Sequence, residues 1–276
     1  LPVGVIGLLA SAFGYTQNHD EFAVSWLMGW TFWFYLSLGS LGWLLIFHLT
    51  SGRWGFVLQR PFEAAARLMP VMLLLFVPVL FSMHSLYEWT HEHAIAHDPL
   101  IQHKLPYLNT PGFLIRCGIY FAIWTFLAYL LSGLSRGADA KDNPETVKRM
   151  RVVAAPGLLA FSLAATFASF DWVMSLEPHW FSSIFGAIFM VSAGLSTMLF
   201  MAILAHHLSK REPLKNVITT QQFHDFGNWC FAFTILWTYM NFVQFLIIWS
   251  GNLYEETFWY LKRGKDGWLE FSMVFA

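Results

Sequence analysis

Residues 181–207, FSSIFGAIFMVSAGLSTMLFMAILAHH, hold no Asp, Glu, Lys or Arg. A helix over this run rises about 1.5 Å per residue, roughly 40 Å in all, which crosses the ~30 Å hydrocarbon core of a bilayer. Comparable runs lie at about 2–14, 23–49, 67–88, 113–133, 152–174 and 226–250, and another begins near 268. They predict an all-α fold: a polytopic transmembrane helical bundle of about seven spans and the start of an eighth. Composition agrees, because 57% of the 276 residues are hydrophobic and 12% are charged, against about 25% charged in soluble domains.

The chain opens at Leu1 without Met and closes inside an apolar run, so it reads as a fragment of a longer protein. Its first ten residues lack the basic stretch and small-residue cleavage site of a secretory signal, which leaves insertion to the spans themselves. A net charge of −1 with no long basic tract gives no reason to expect nucleic acid.

Basic residues set the orientation. Eleven of the sixteen Lys and Arg, among them Arg53, Arg60, Arg67, Arg136, Lys148, Arg151 and Lys210, fall in loops on one side, and four, Lys104, Lys262, Arg263 and Lys265, on the other. Basic loops stay cytoplasmic, so the N-terminus is expected there. Arg116 lies just inside a span and is expected to snorkel outward. Trp26, Trp30, Trp89, Trp172, Trp180 and Trp249 fall near outer helix ends, as an interfacial aromatic belt would place them.

Residues 135–151 mix Gly, Asp, Lys, Asn and Pro and read as a cytoplasmic linker. It would separate a first bundle (1–134, with an outer His-rich loop at 89–112) from a second, truncated one (152–276).

Ionisable groups collect at the outer ends of the spans, where burial is costly. His84 and Glu88, four apart, are expected to share a helix face, either as an interfacial pair or as a proton-passing one. Asp171 sits about one turn before a helix end, where the dipole disfavours negative charge, and Glu177 and His179 follow it. These three make a candidate proton relay, with Pro178 read as a helix start and Glu177 also as a helix cap. His224 and Asp225, at the cytoplasmic start of the seventh span, read as a cap or a proton entrance. Tyr239, Asn241 and Gln244 are mid-membrane polar residues, suited to interhelical hydrogen bonds or to a quinone carbonyl.

Metal and haem readings are weaker. His91, Glu92, His93, His97, Asp98 and His103 crowd the outer loop but lack an HExxH or paired CxxC pattern, so no metal is expected. No span carries two well-separated histidines for a bis-His haem. Cys117 and Cys230 lie within apolar runs and read as small core residues.

Two blocks carry a resemblance. His97-Asp98-Pro99-Leu100-Ile101-Gln102-His103-Lys104-Leu105-Pro106-Tyr107-Leu108-Asn109, running into Phe113-Leu114-Ile115-Arg116, and Ser169 to Gly186, with Asp171-Trp172 and Leu176-Glu177-Pro178-His179, resemble the ActF subunits of bacterial alternative complex III. These belong with the NrfD-like, polysulfide-reductase membrane subunits. The resemblance implies roughly ten helices in two four-helix bundles with flanking helices, so the chain looks cut short. It also implies a quinol-oxidising electron-transfer complex of the bacterial inner (plasma) membrane, in which this subunit holds no redox centre of its own. Its partners would be an ActC-like membrane subunit, an iron–sulfur subunit and multihaem cytochrome c subunits, which carry the clusters and c-type haems. The resemblance assigns quinol oxidation to the ActC-like subunit and leaves open to this one a role in assembly, in proton conduction or in binding quinone. By position, Asp171, Glu177 and His179 match one family block, and His103, Lys104, Tyr107, Asn109 and Arg116 the other. Two other readings stand beside this one: a structural scaffold of such a complex, and a secondary transporter.

Overall fold

The computed structural model describes residues 2–140, 144–212 and 217–265. The chain runs through α1 (Pro2–Gln17), α2 (His19–Thr50), α3 (Arg53–Ala66), α4 (Met69–Phe81), the short helices α5 (Met83–Leu86), α6 (Glu92–His97) and α7 (Pro99–Lys104), then α8 (Thr110–Ala140), α9 (Pro144–Trp172), α10 (Phe185–Leu208), α11 (Thr220–Gly251) and α12 (Tyr254–Arg263). No strand occurs among the described residues. α2, α8, α9, α10 and α11 are long and apolar enough to cross a membrane. α3 and α4, joined across a 41° bend, make at most a sixth such element.

The span pattern therefore departs from expectation. α1 contributes 16 described residues, Pro2–Gln17, to the first expected run. The run at 67–88 is not one helix. Pro70 sits at the start of α4, where its missing N–H costs no helix bond, and Pro78 lies inside it, where it removes the bond to the carbonyl four residues earlier; the helix breaks at Ser82, before α5. α3 lies where the sequence predicts a loop, since Arg53 and Arg60 fall in it. It buries Trp54, Leu58, Phe62 and Ala66 on one face, the four-residue spacing of an amphipathic helix. The eighth run, from 268, lies outside the described residues.

α2 is the central element and packs against α1, α3, α4, α9 and α10. Small residues allow this. A Cβ at Gly39 would overlap Thr197 Oγ1 and the Ala193 carbonyl of α10, so the two backbones touch where membrane helices gain contact by close approach. Polar links cross the same seam: Trp43 Nε1 donates to the Gly194 carbonyl at 2.9 Å and Thr197 Oγ1 to the Tyr35 carbonyl at 3.0 Å. α2 ends at Ser51, whose φ of 54° turns the chain into α3.

The core is aromatic. Trp172 meets the rings of Trp30, Phe34, Phe76, Tyr120, Phe121 and Trp124 at centroid distances of 4.9 to 6.0 Å. Its indole Nε1 donates to Cys117 Sγ at 3.0 Å, and Cys117 is buried as a small core residue. The expected aromatic belt is corrected in part: Trp30, Trp89, Trp172 and Trp180 are buried in the bundle, whereas Trp249 is exposed. Proximity to a helix end fixes depth but not direction, and these indoles turn inward.

Candidate functional site

At the end of the bundle where residues 82–109 lie, the two blocks that carry the resemblance fold onto each other. Asp171, in the last turn of α9, is fully buried. Arg116 of α8 grips it with two parallel bonds, Nε to Oδ2 at 2.8 Å and Nη2 to Oδ1 at 2.9 Å, the fork geometry that makes Arg–carboxylate pairs strong. Tyr120, one turn further along α8, donates its hydroxyl to Asp171 Oδ2 at 2.8 Å. The guanidinium also donates Nη1 to the Tyr107 carbonyl at 2.9 Å and lies 3.9 Å from that ring's centroid. Burial, reinforced by the Asp171 charge, pushes the Tyr107 phenol up to about 12. Arg116 does not snorkel outward, as expected of it; its side chain is one-fifth exposed and points at the carboxylate.

The segment after α9 is tied down residue by residue. A 3₁₀ turn over Met174–Leu176 follows, and Tyr87 donates its hydroxyl to the Trp172 carbonyl at 3.1 Å. Lys104 Nζ donates to the Pro178 carbonyl at 2.5 Å, and His179 Nε2 to Asp98 Oδ2 at 2.5 Å. Glu177 accepts from Lys262 of α12. Trp180 stacks on Trp259 of α12, centroids 3.8 Å apart and planes within 9°. Burial lowers the Lys104 ammonium, an effect the Asp98 charge partly offsets. Desolvation would raise the Asp98 carboxyl, but hydrogen bonds from His179 and from the Leu100 and Ile101 N–H groups bring it below the ordinary value.

Several sequence assignments change. Pro178 and Glu177 do not open the next helix: α10 starts at Phe185, after a bend that neither residue caps. Asp171, Glu177 and His179 each have a separate partner, Arg116, Lys262 and Asp98. His84 and Glu88 do not share a helix face, because α5 ends at Leu86 and Tyr87 is extended. His84 instead stands 4.2 Å, ring to ring, from His91, whose Nε2 contacts the His84 carbonyl at 2.6 Å. Asp225 is not the cap of α11; Thr219 and Gln222 form that capping box. Asp225 accepts from Gln221, and His224 lies beside Asn228.

The mid-membrane trio separates. Gln244 is buried, accepts from Ser182 Oγ at 3.1 Å and reaches Tyr260 Oη at 3.5 Å. Among the described residues Asn241 bonds only back to the Trp237 carbonyl of its own helix, and Tyr239 is exposed. In the other block His103 is exposed, while Asn109 Oδ1 accepts the Gly112 N–H at the start of α8. Among the described residues no group of three His, Cys, Asp or Glu stands close enough to hold a metal ion.

A polar contact the sequence did not single out lies at the opposite end. Buried Glu63 of α3 pairs with Arg60 at 2.5 Å and accepts from Gln59, which also donates to Ser135 of α8 at 2.6 Å. Its signal was the amphipathic period of α3, which the arginines masked. No family model matches the chain, and no curated protein matches it.

Proposed function

We propose that the chain is an integral membrane subunit, of the ActF type, in a quinol-oxidising respiratory or photosynthetic electron-transfer complex. In this reading the Asp98–His179, Lys104–Pro178 and Arg116–Asp171 contacts brace one face of the bundle for redox subunits to dock on. The supporting observation is that the two sequence blocks behind the resemblance converge on one polar cluster, although 55 residues separate Arg116 from Asp171. The orientation drawn from Lys and Arg puts that face outside the bacterial plasma membrane.

Partner capture tests this. Purified through a tag from the native membrane in mild detergent, the full chain is expected to bring c-type haem and iron–sulfur subunits with it and to oxidise added quinol. A chain that purifies alone excludes the reading and favours a transporter.

A purely structural role has its own support. Asp171 is held by both arms of Arg116 and by Tyr120, which suits a brace better than a group that exchanges protons. Asp171→Asn separates the two roles: loss of turnover in a fully assembled complex identifies proton chemistry, and loss of assembly identifies a brace.

A further inference from the structure

A cavity of about 640 Å³ opens in the wedge between α1 and α2, with Leu75 of α4 at its back and Trp30, a core neighbour of Trp172, in its wall. Its volume falls within the ~300–1,000 Å³ typical of small-molecule sites. Its polarity is graded. Gln17, Asn18 and Glu21 line the end at the α1–α2 turn, and Ala10, Gly29, Trp30 and Trp33 line the other. Glu21 and Trp33 are twelve residues apart on one helix, about 18 Å along its axis.

Glu21, Ser25, Gly29 and Trp33 recur every four residues and so face the cavity as one stripe of α2. Opposite them on α1 stand Ser11 and Gly14. Glycines on facing membrane helices ordinarily let the backbones touch. Here a Cβ on either Gly14 or Gly29 would meet nothing within 4 Å, so these positions hold space open. The indole N–H groups of Trp26 and Trp30 are spent on the carbonyls of Leu75 and Met72, both at 2.9 Å. These two side chains therefore offer the cavity aromatic surface without free donors.

We infer that this groove binds an isoprenoid quinol, with the aromatic head held near Glu21, Ser25 and Trp26 and the prenyl tail running past Gly29 toward Trp33. The inference rests on the reading of the chain as part of a quinol-oxidising complex. Charge selects this occupant over an anionic phospholipid. Among the described residues lining the groove there is one carboxylate, Glu21, and no Lys, Arg or His. A phosphate head would meet like charge, whereas a quinol is neutral and its hydroxyl can donate to the carboxylate. A planar ring also suits the indole and phenyl walls of Trp26 and Phe22. Glu21 has room to accept: its backbone N–H is engaged by Asn18 Oδ1, and its side chain is exposed.

A photoactivatable azido-menaquinol, irradiated with the purified full-length assembly in phosphatidylcholine nanodiscs, tests the groove directly through mass mapping of the adducts. Adducts are expected within residues 10–33, competed by menaquinol-4 and not by phosphatidylglycerol. Gly29→Leu and Gly14→Leu start from positions where a Cβ meets nothing within 4 Å and are expected to cut that labelling at least tenfold; Glu21→Gln is expected to cut it severalfold. Labelling that lies elsewhere, survives both glycine substitutions, or yields to phosphatidylglycerol but not to menaquinol-4 overturns the inference. Haem-bearing subunits with no label in the groove remove this site and leave the proposed function standing. Label in the groove of a chain that purifies alone does the reverse.

Discussion

Arg116 and Asp171 form a two-pronged ion pair between α8 and α9, with the carboxylate fully buried and the guanidinium one-fifth exposed. Low surrounding polarity makes such a pair asymmetric in its energetics: the intact pair adds little over a well-packed apolar pair, but half of it is costly to keep. Asp171→Asn or Arg116→Met alone is expected to destabilise the bundle by about 3–5 kcal/mol, and the double variant Arg116→Met/Asp171→Leu to recover most of that loss. Thermal unfolding in detergent, arranged as a double-mutant cycle, checks the coupling. Additive losses would mean that the two residues act separately.

The seam between α2 and α10 yields a second prediction. Gly39→Val pushes a side chain into Thr197 Oγ1 and the Ala193 carbonyl, both backed by rigid helix. It is expected to lower the melting temperature sharply, as overpacking typically costs about 1–3 kcal/mol and more where backbone must move. Gly118→Ala, whose new methyl meets nothing within 4 Å, is the matched control and is expected to leave stability unchanged or slightly raised.

The all-α character of the chain and most of its long helices were legible in the sequence, because a charge-free run of about 20 residues has few structural alternatives. Helix breaks were less so. Pro70 and Pro78 are visible in the sequence, yet whether a proline kinks a span or ends it depends on what neighbouring helices supply to the freed carbonyls. α3 was hidden by its arginines, although Trp54, Leu58, Phe62 and Ala66 mark its buried face. Asp171 stood out by its depth, but its partner did not: Arg116 looked like a snorkelling residue because sequence spacing reports which face a residue occupies and not which helix that face meets. The α1–α2 groove was illegible for the same reason, since glycines that open a cavity and glycines that close a contact look alike until the opposite helix is in place.

α12 illustrates how exposure ranks contacts of similar appearance. It is fastened by the Trp180–Trp259 stack, by Gln244 reaching Tyr260, and by Lys262 donating to Glu177. The Lys262 side chain is 65% exposed, so the ion pair is screened and contributes at most about 1 kcal/mol. The stack buries ring surface of Trp180 and gains a further ~0.5–1.5 kcal/mol from its geometry. Trp259→Ala is therefore expected to free α12, and Lys262→Ala to leave it docked. Hydrogen exchange over residues 254–263 reads both, and equal protection in the two variants would refute the ranking.

Asp98 adds a dependence on pH. Its carboxyl is desolvated, which alone would raise it, yet hydrogen bonds from His179 and from the Leu100 and Ile101 amides hold it below the ordinary carboxylate value. A group lowered in the folded state binds fewer protons there than in the unfolded chain. Its contribution is thus complete above the ordinary value of about 4 and fades as pH falls through the lower, folded-state value. Acidification through that window is expected to release the Asp98–His179 contact and the start of α7, seen as faster exchange of the Leu100 and Ile101 amides after correction for intrinsic rates. Asp98→Asn should show the faster exchange already at neutral pH and lose its dependence on acid. Protection of those amides that persists unchanged to pH 2 in the unsubstituted protein would show that the carboxylate does not hold this turn.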